Sequence, residues 1–151
     1  RRLRTIERLA RAGVPVGISV SPLIPFINEP ELERVLERSR NAGASSAFAT
    51  PLRLPWEVKP LFQQWLAQHF PQRAVRVMAR VRNMRGGRDN DPRFGHRMTG
   101  QGVWGELMRQ RFAQATRRPG LRTERLDLDS TQFRRPAAAE PAAASGQASL
   151  F

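Results

Sequence analysis

Residues 12–28, AGVPVGISVSPLIPFIN, decide how this chain is read. Gly13 suits the left-handed residue that closes a helix, because it has no Cβ to clash there. Val14 to Val20 is short, rich in β-branched residues and bounded by glycine and proline, the pattern of a buried strand. Pro22 and Pro25 lack backbone donors and are expected to stop that strand. Asn28 stands where it can cap the next helix, with Pro30 near the first turn. Glu29, Glu31 and Glu33 are favourable against the helix dipole there. A buried strand between two helices is the α/β repeat unit, and such folds put their sites in the loops after strands. Residues 21–28 are therefore the first candidate site.

Working outward, Leu3, Ile6, Leu9 and Ala10 mark one face of a helix before the strand. Leu32, Val35, Leu36 and Ser39 mark a helix after it, ending near Gly43. Residues 44–50, ASSAFAT, are a second, weaker strand, and PLRLPW at 51–56 is its post-strand loop. Val58, Leu61, Phe62, Trp65, Leu66 and His69 keep helical spacing until Pro71. Ala74, Val77, Met78, Val81 and Met84 carry the same period onward. A glycine-rich basic loop follows from Arg85 to Gly102, then a helix marked by Trp104, Leu107, Met108, Phe112 and Ala115. This order divides the chain into strand and helix units at 1–70, a basic helical and loop extension at 71–135, an Ala/Pro/Ser linker at 136–146 and a terminal peptide at 147–151.

The chain has 151 residues and a formal charge of +13. The length fits one ordinary domain, and the charge points to a polyanionic partner or an anionic surface. Residues 1–72 carry net +4 and residues 73–135 net +10, so the field belongs to the later half. Lys59 is the single lysine, a bias that fits guanidinium chemistry or a GC-rich genome equally. There is no cysteine, which excludes disulfides and thiolate ligands and suits a cytoplasmic protein. No stretch is long and apolar enough to be a membrane span or signal peptide. Arg1 already lies in a helical pattern with no initiator methionine, so the chain reads as part of something longer.

Arg53, in the loop after the second strand, is placed either to bind a carboxylate or phosphate bidentately or to stay solvated. The loop RGGRDNDPRFGHRMTG sets Gly86, Gly87 and Gly95 among Arg85, Arg88, Arg93 and Arg97. Glycine lets a backbone approach phosphate and arginine matches its geometry. The same arginines are also placed to pair with Asp89 and Asp91. Phe94 is set either to stack on a base or to anchor the loop. The spacing matches neither dinucleotide nor P-loop fingerprints. His69 and His96 are far apart and lack ligand spacing, so no metal site is expected. Trp56, Trp65 and Trp104 read as core or interface anchors.

The ordered blocks AGVPVGISVSPLIPFIN, LRLPWEVKPLFQQWLAQHFP, RNMRGG with D.RFGHRMTGQG, and terminal QASLF resemble the C-terminal half of a radical SAM family. Its members are related to spore photoproduct lyase and described as DNA-repair-photolyase-like. The resemblance implies an α/β fold, the C-terminal part of a TIM-like partial barrel with a basic helical extension. It implies a 4Fe–4S cluster and S-adenosylmethionine in the parent protein, reductive cleavage of that cofactor, and radical chemistry on a substrate it does not identify, with DNA, RNA and protein all open. The family ligates its cluster through a CxxxCxxC loop, so those cysteines would lie in a missing N-terminal half of the barrel, and this chain alone would retain neither cluster nor activity. Pro22, Pro25 and Asn28 would then form a wall of the S-adenosylmethionine pocket.

Gln147, Ala148, Ser149, Leu150 and Phe151 resemble the QLSLF-type peptide that docks bacterial repair proteins on the DNA sliding clamp. In that reading Gln147 hydrogen-bonds at a rim while Leu150 and Phe151 fill a cleft, and Ala148 departs from the usual leucine. The alternative to the enzyme is a free-standing basic module that binds nucleic acid and is tethered to the clamp.

Overall fold

The computed structural model describes residues 1–124, 131 and 133–135. The fold is mixed α/β. In chain order it contains α1 (Arg2–Arg11), β1 (Gly17–Leu23), a 3-10 turn (Glu29–Glu31), α2 (Leu32–Asn41), β2 (Ser46–Pro51), α3 (Val58–His69), α4 (Pro71–Asn83) and α5 (Gly102–Arg117). The two strands pair in parallel, with Ile18 opposite Ala47 and Ser19 opposite Phe48. A parallel pair needs a crossover, and α2 supplies it.

Side chains alternate across the sheet. Ile18, Leu23 and Ala47 are buried with Leu32, Leu36 and Ala44, while Ile6, Met108 and Phe112 pack against them. Leu32 and Leu36 are fully buried, and each contributes roughly 1.5–3 kcal/mol through the apolar surface it removes from water. The opposite face leaves Ser19, Ser21 and Phe48 exposed. The second strand is flanked on its other side by Arg122, whose carbonyl accepts from the Ala47 amide at 2.9 Å. The far edge of β1 pairs with no strand among the described residues.

The first strand departs from its sequence reading at both ends. It begins at Gly17 rather than Val14, and Val14 is exposed. It also runs through Pro22 to Leu23 instead of stopping before the proline. The register is irregular between Val20 and Leu23, so Pro22 sits where the ladder requires no donor, and pairing resumes when Leu52 N–H donates to the Leu23 carbonyl at 3.1 Å. Gly13 does close α1 as expected, at φ 75°.

A second core lies beyond the strand ends. Leu52 and Leu54 from the loop after β2 meet Leu66 of α3 and Val77, Met78 and Val81 of α4. Ile24, Phe26 and Ile27, from the loop after β1, pack on the same cluster. Both post-strand loops are thus held from beneath by α3 and α4. The helix α5 closes against the returning loop at a pair of glycines: a Cβ on Gly105 would lie 2.5 Å from the Gly100 carbonyl carbon. No helix among the described residues is long and apolar enough to cross a membrane.

Candidate phosphate-binding loop surface

The loop after β1 is braced from within. The Asn28 side-chain oxygen accepts from the Ile24 amide at 2.7 Å, and its Nδ2 donates to the Pro22 carbonyl at 2.8 Å. Asn28 precedes the 3-10 turn but makes no side-chain cap. Its expected role as a helix cap gives way to a loop brace, because both amide atoms face back into the turn. Glu29 is buried and accepts from the Phe26 amide at 3.3 Å. Arg111 of α5 pairs with Glu29 and holds Glu33 through two contacts of 2.7 Å. This bridge joins residues about eighty positions apart and has no local sequence signal.

Arg85 organises the loop after β2. It is buried to 1% exposure, and its guanidinium donates to the carbonyls of His96, Arg97 and Thr99 on one side and of Pro51 and Leu52 on the other. A fork of fixed donors satisfies several carbonyls at once, which an ammonium cannot do. Burial first, and then the like charge of Arg53, pull its pKa below the ordinary value, while Asp91 pulls the other way. The expectation that Arg85 meets a phosphate at the surface is therefore replaced by an internal role: it ties loop 85–100 to the end of β2. The neck of that loop is closed where Gln101 N–H donates to the Met84 carbonyl at 3.0 Å.

Of the two acidic residues in the loop, Asp91 is engaged by the loop's own Arg93, whereas Asp89 is engaged by Lys59 of α3 and Arg82 of α4 and not by a loop arginine. Asp91 is buried and accepts from the Arg93 side chain at 2.8 and 2.9 Å and from the Arg93 amide at 3.1 Å. The Arg93 guanidinium, helped by that amide and opposed by burial, holds the Asp91 carboxyl well below the usual carboxylate range. Asp89 lies 2.8 Å from Lys59 and 2.7 Å from Arg82, and the Lys59 hydrogen bond is the largest cause lowering its pKa. Arg93 thus keeps an exposed flank but is already paired.

Arg88 is exposed and has no side-chain partner among the described residues. Arg97 lies with its guanidinium carbon 5.3 Å from the Phe94 ring centre, and Phe94 is 87% exposed. Of the two roles open to Phe94, anchoring the loop is thus ruled out by its exposure. Arg53 is half-buried, its Nη1 3.5 Å from the Met98 sulfur and its Nε without a partner. Trp56 is 88% exposed, so it is no core anchor. It stands beside Pro55, outside the helical stripe that begins at Val58, and that position was the available signal. Trp65 stacks with Phe62, while Trp104 lies 5.8 Å from Phe26 and beneath Arg80. His69 is exposed and lies against Trp65 rather than being packed in a core.

A cavity of about 140 Å³ opens between the strand ends, loop 98–100 and α5, with Leu23, Pro25, Pro51, Met84, Met98 and Met108 in its wall. Of the three residues expected to face S-adenosylmethionine, Pro25 lines this cavity and Pro22 and Asn28 do not. Its side chains are mostly apolar, and Arg109 on its rim already donates to Glu106 and the Gly100 carbonyl. These residues fit an apolar group and do not fit a nucleoside cofactor. Nor does a thiolate-ligated cluster fit a chain without cysteine, and the described residues contain no group of three His, Asp or Glu able to hold a metal.

The linker 136–146 and the candidate docking residues Gln147, Leu150 and Phe151 lie outside the described residues. What the structure brings together at the carboxyl ends of the parallel strands is Arg53, Arg85 and the loop bearing Arg88, Arg93 and Arg97. No family model, no curated protein and no solved structure matches this chain.

Proposed function

We propose that this chain forms the C-terminal portion of a radical SAM enzyme related to spore photoproduct lyase, and that its share of the work is to hold a polyanionic, nucleic-acid-type substrate. The observation that carries the second half is the loop 85–100, whose Arg88 and Arg97 remain available after Asp89 and Asp91 have been neutralised by other cations. The first half is supported by the parallel pair, whose β1 edge and one face are left without a partner among the described residues, since parallel sheets are ordinarily covered on both faces. In this reading a preceding half-barrel pairs with β1 and brings the cluster cysteines. The residues of this chain bind and orient phosphate.

Arg88 and Arg97 attract the phosphodiester backbone, Arg93 contributes its free flank, and Arg85 keeps the loop fixed to the strand end. The reading frame upstream of Arg1 tests the enzyme half. A CxxxCxxC within roughly 150 residues, the remaining length of a full (β/α)₈ barrel, supports it; a start codon directly before Arg1 overturns it. In that second case the loop surface favours the other reading, a basic nucleic-acid-binding module, with QASLF as its clamp tether. The tether is tested by titrating the tail peptide against purified clamp, with Leu150→Ala and Phe151→Ala together as the control.

A further inference from the structure

Phe26 and Trp56 are the two non-glycine residues among those described with positive φ, at 62° and 38°. Each lies in the loop following a parallel strand. For Phe26 the strained backbone is offset locally: its ring meets Trp104 and carries the Arg76 guanidinium 4.3 Å above it, and its carbonyl accepts from Arg73 at 3.0 Å. Trp56 has the same kind of backbone with its indole 88% in water. A bulky residue in this region costs on the order of 1–3 kcal/mol, and no packing of the ring offsets it. Outliers of this kind concentrate where a ligand is met.

The second exposed ring is on the neighbouring loop. Phe94 lies two residues before His96 and three before Arg97, whose carbonyls accept from Arg85. Trp56 lies four residues after Leu52, whose carbonyl accepts from the same guanidinium at 2.9 Å. One buried side chain therefore fixes the roots of both loops. Arg97 lies 5.3 Å from the Phe94 ring centre, Arg88 stands exposed on the same loop, and the local carboxylates Asp89 and Asp91 are already paired.

We propose that Trp56 and Phe94 form a base-stacking platform for single-stranded nucleic acid, with Arg88 and Arg97 on its phosphates. The inference rests on the phosphate-binding reading above and adds to it a substrate class. Duplex bases are already stacked on one another, so exposed rings gain a partner only from an unpaired strand. A rigid root matters because the rings then need little ordering on binding.

The test is a titration of the full chain, followed by tryptophan fluorescence, with oligothymidylate of about 12 nucleotides and with the duplex it forms with oligoadenylate; a single-strand fold covers roughly 4–16 nucleotides. The single strand is expected to bind more tightly than the duplex at equal salt. Trp56→Ala and Phe94→Ala should each weaken it roughly fivefold or more, while Trp56→Phe, which keeps a π face, retains most of the affinity. Trp56→Gly relieves the backbone and should lose binding as Trp56→Ala does while melting no lower than the parent, an outcome that a purely structural indole would not give. Single-strand binding unchanged in Trp56→Ala and Phe94→Ala would overturn the platform and leave the phosphate-binding reading standing. So would a duplex bound as tightly as the single strand, or an oligothymidylate affinity fully retained in Trp56→Leu. Binding of neither polymer overturns both.

Discussion

The loops after β1 and β2 begin alike and end differently. Each leaves a parallel strand, passes a proline and turns through an aromatic residue in the left-handed region. In the first, Asn28, Glu29 and Arg73 hydrogen-bond the turn, and Phe26 sinks between Trp104 and Arg76. In the second, the hydrophobic residues Leu52 and Leu54 go inward and Trp56 is left in solvent. The same local conformation thus serves packing in one loop and surface presentation in the other. Backbone geometry alone does not distinguish structure from function; what surrounds the side chain does.

The largest effect should come from the side chain that fixes the second loop. Arg85→Ala removes a buried fork from five carbonyls on two segments, and is expected to cost about 3–5 kcal/mol in denaturant unfolding. Arg85→Lys should recover little of that, since a point charge cannot span both sides. A loss below about 1 kcal/mol would mean that the loop is held by something else.

Next comes the paired comparison of the two aromatics. Phe26→Ala should cost about 2–3 kcal/mol, somewhat under the value for a fully buried ring. Trp56→Ala should change stability by no more than about 0.5 kcal/mol, as an exposed site does. Equal losses would erase the distinction between the loops.

A smaller effect concerns pH. Asp91 has a folded pKa depressed by Arg93, so its contribution is fully present above the unfolded value of about 3.9 and is lost as pH falls toward the folded one. Acidification from pH 5 to about pH 3 should therefore loosen loop 85–100 before the β1–β2 pair, seen as earlier amide exchange at 91–97. In Asp91→Asn this acid-dependent step should be missing, and if it persists unchanged Asp91 is not its source.

Much of the scaffold was legible in the chain. The periodicity of 58–69 locates α3, and the apolar run at 14–20 locates β1 to within three residues at each end, because helices and strands repeat on fixed local spacings. Pro22 misled because a proline is tolerated where the ladder is irregular, which depends on the partner strand. Arg85 looked like its neighbours at 88, 93 and 97, since burial is decided by which carbonyls the fold brings within reach. The Arg111 bridge to Glu29 and Glu33 was invisible for the same reason. Loop 85–100 was visible as a glycine-rich basic stretch, and the division of its arginines into internal and external ones was not.

That division is tested most directly by the salt dependence of oligothymidylate binding, arginine by arginine. Each phosphate contact on a single strand contributes a slope of roughly −0.7 in log affinity against log salt. Arg88→Gln and Arg97→Gln should each flatten the slope by about that amount, and Arg93→Gln by less, because its charge is already shared with Asp91. A slope that is flat in the parent chain, or one that none of the three substitutions changes, would contradict the assignment of this loop as the phosphate-binding surface.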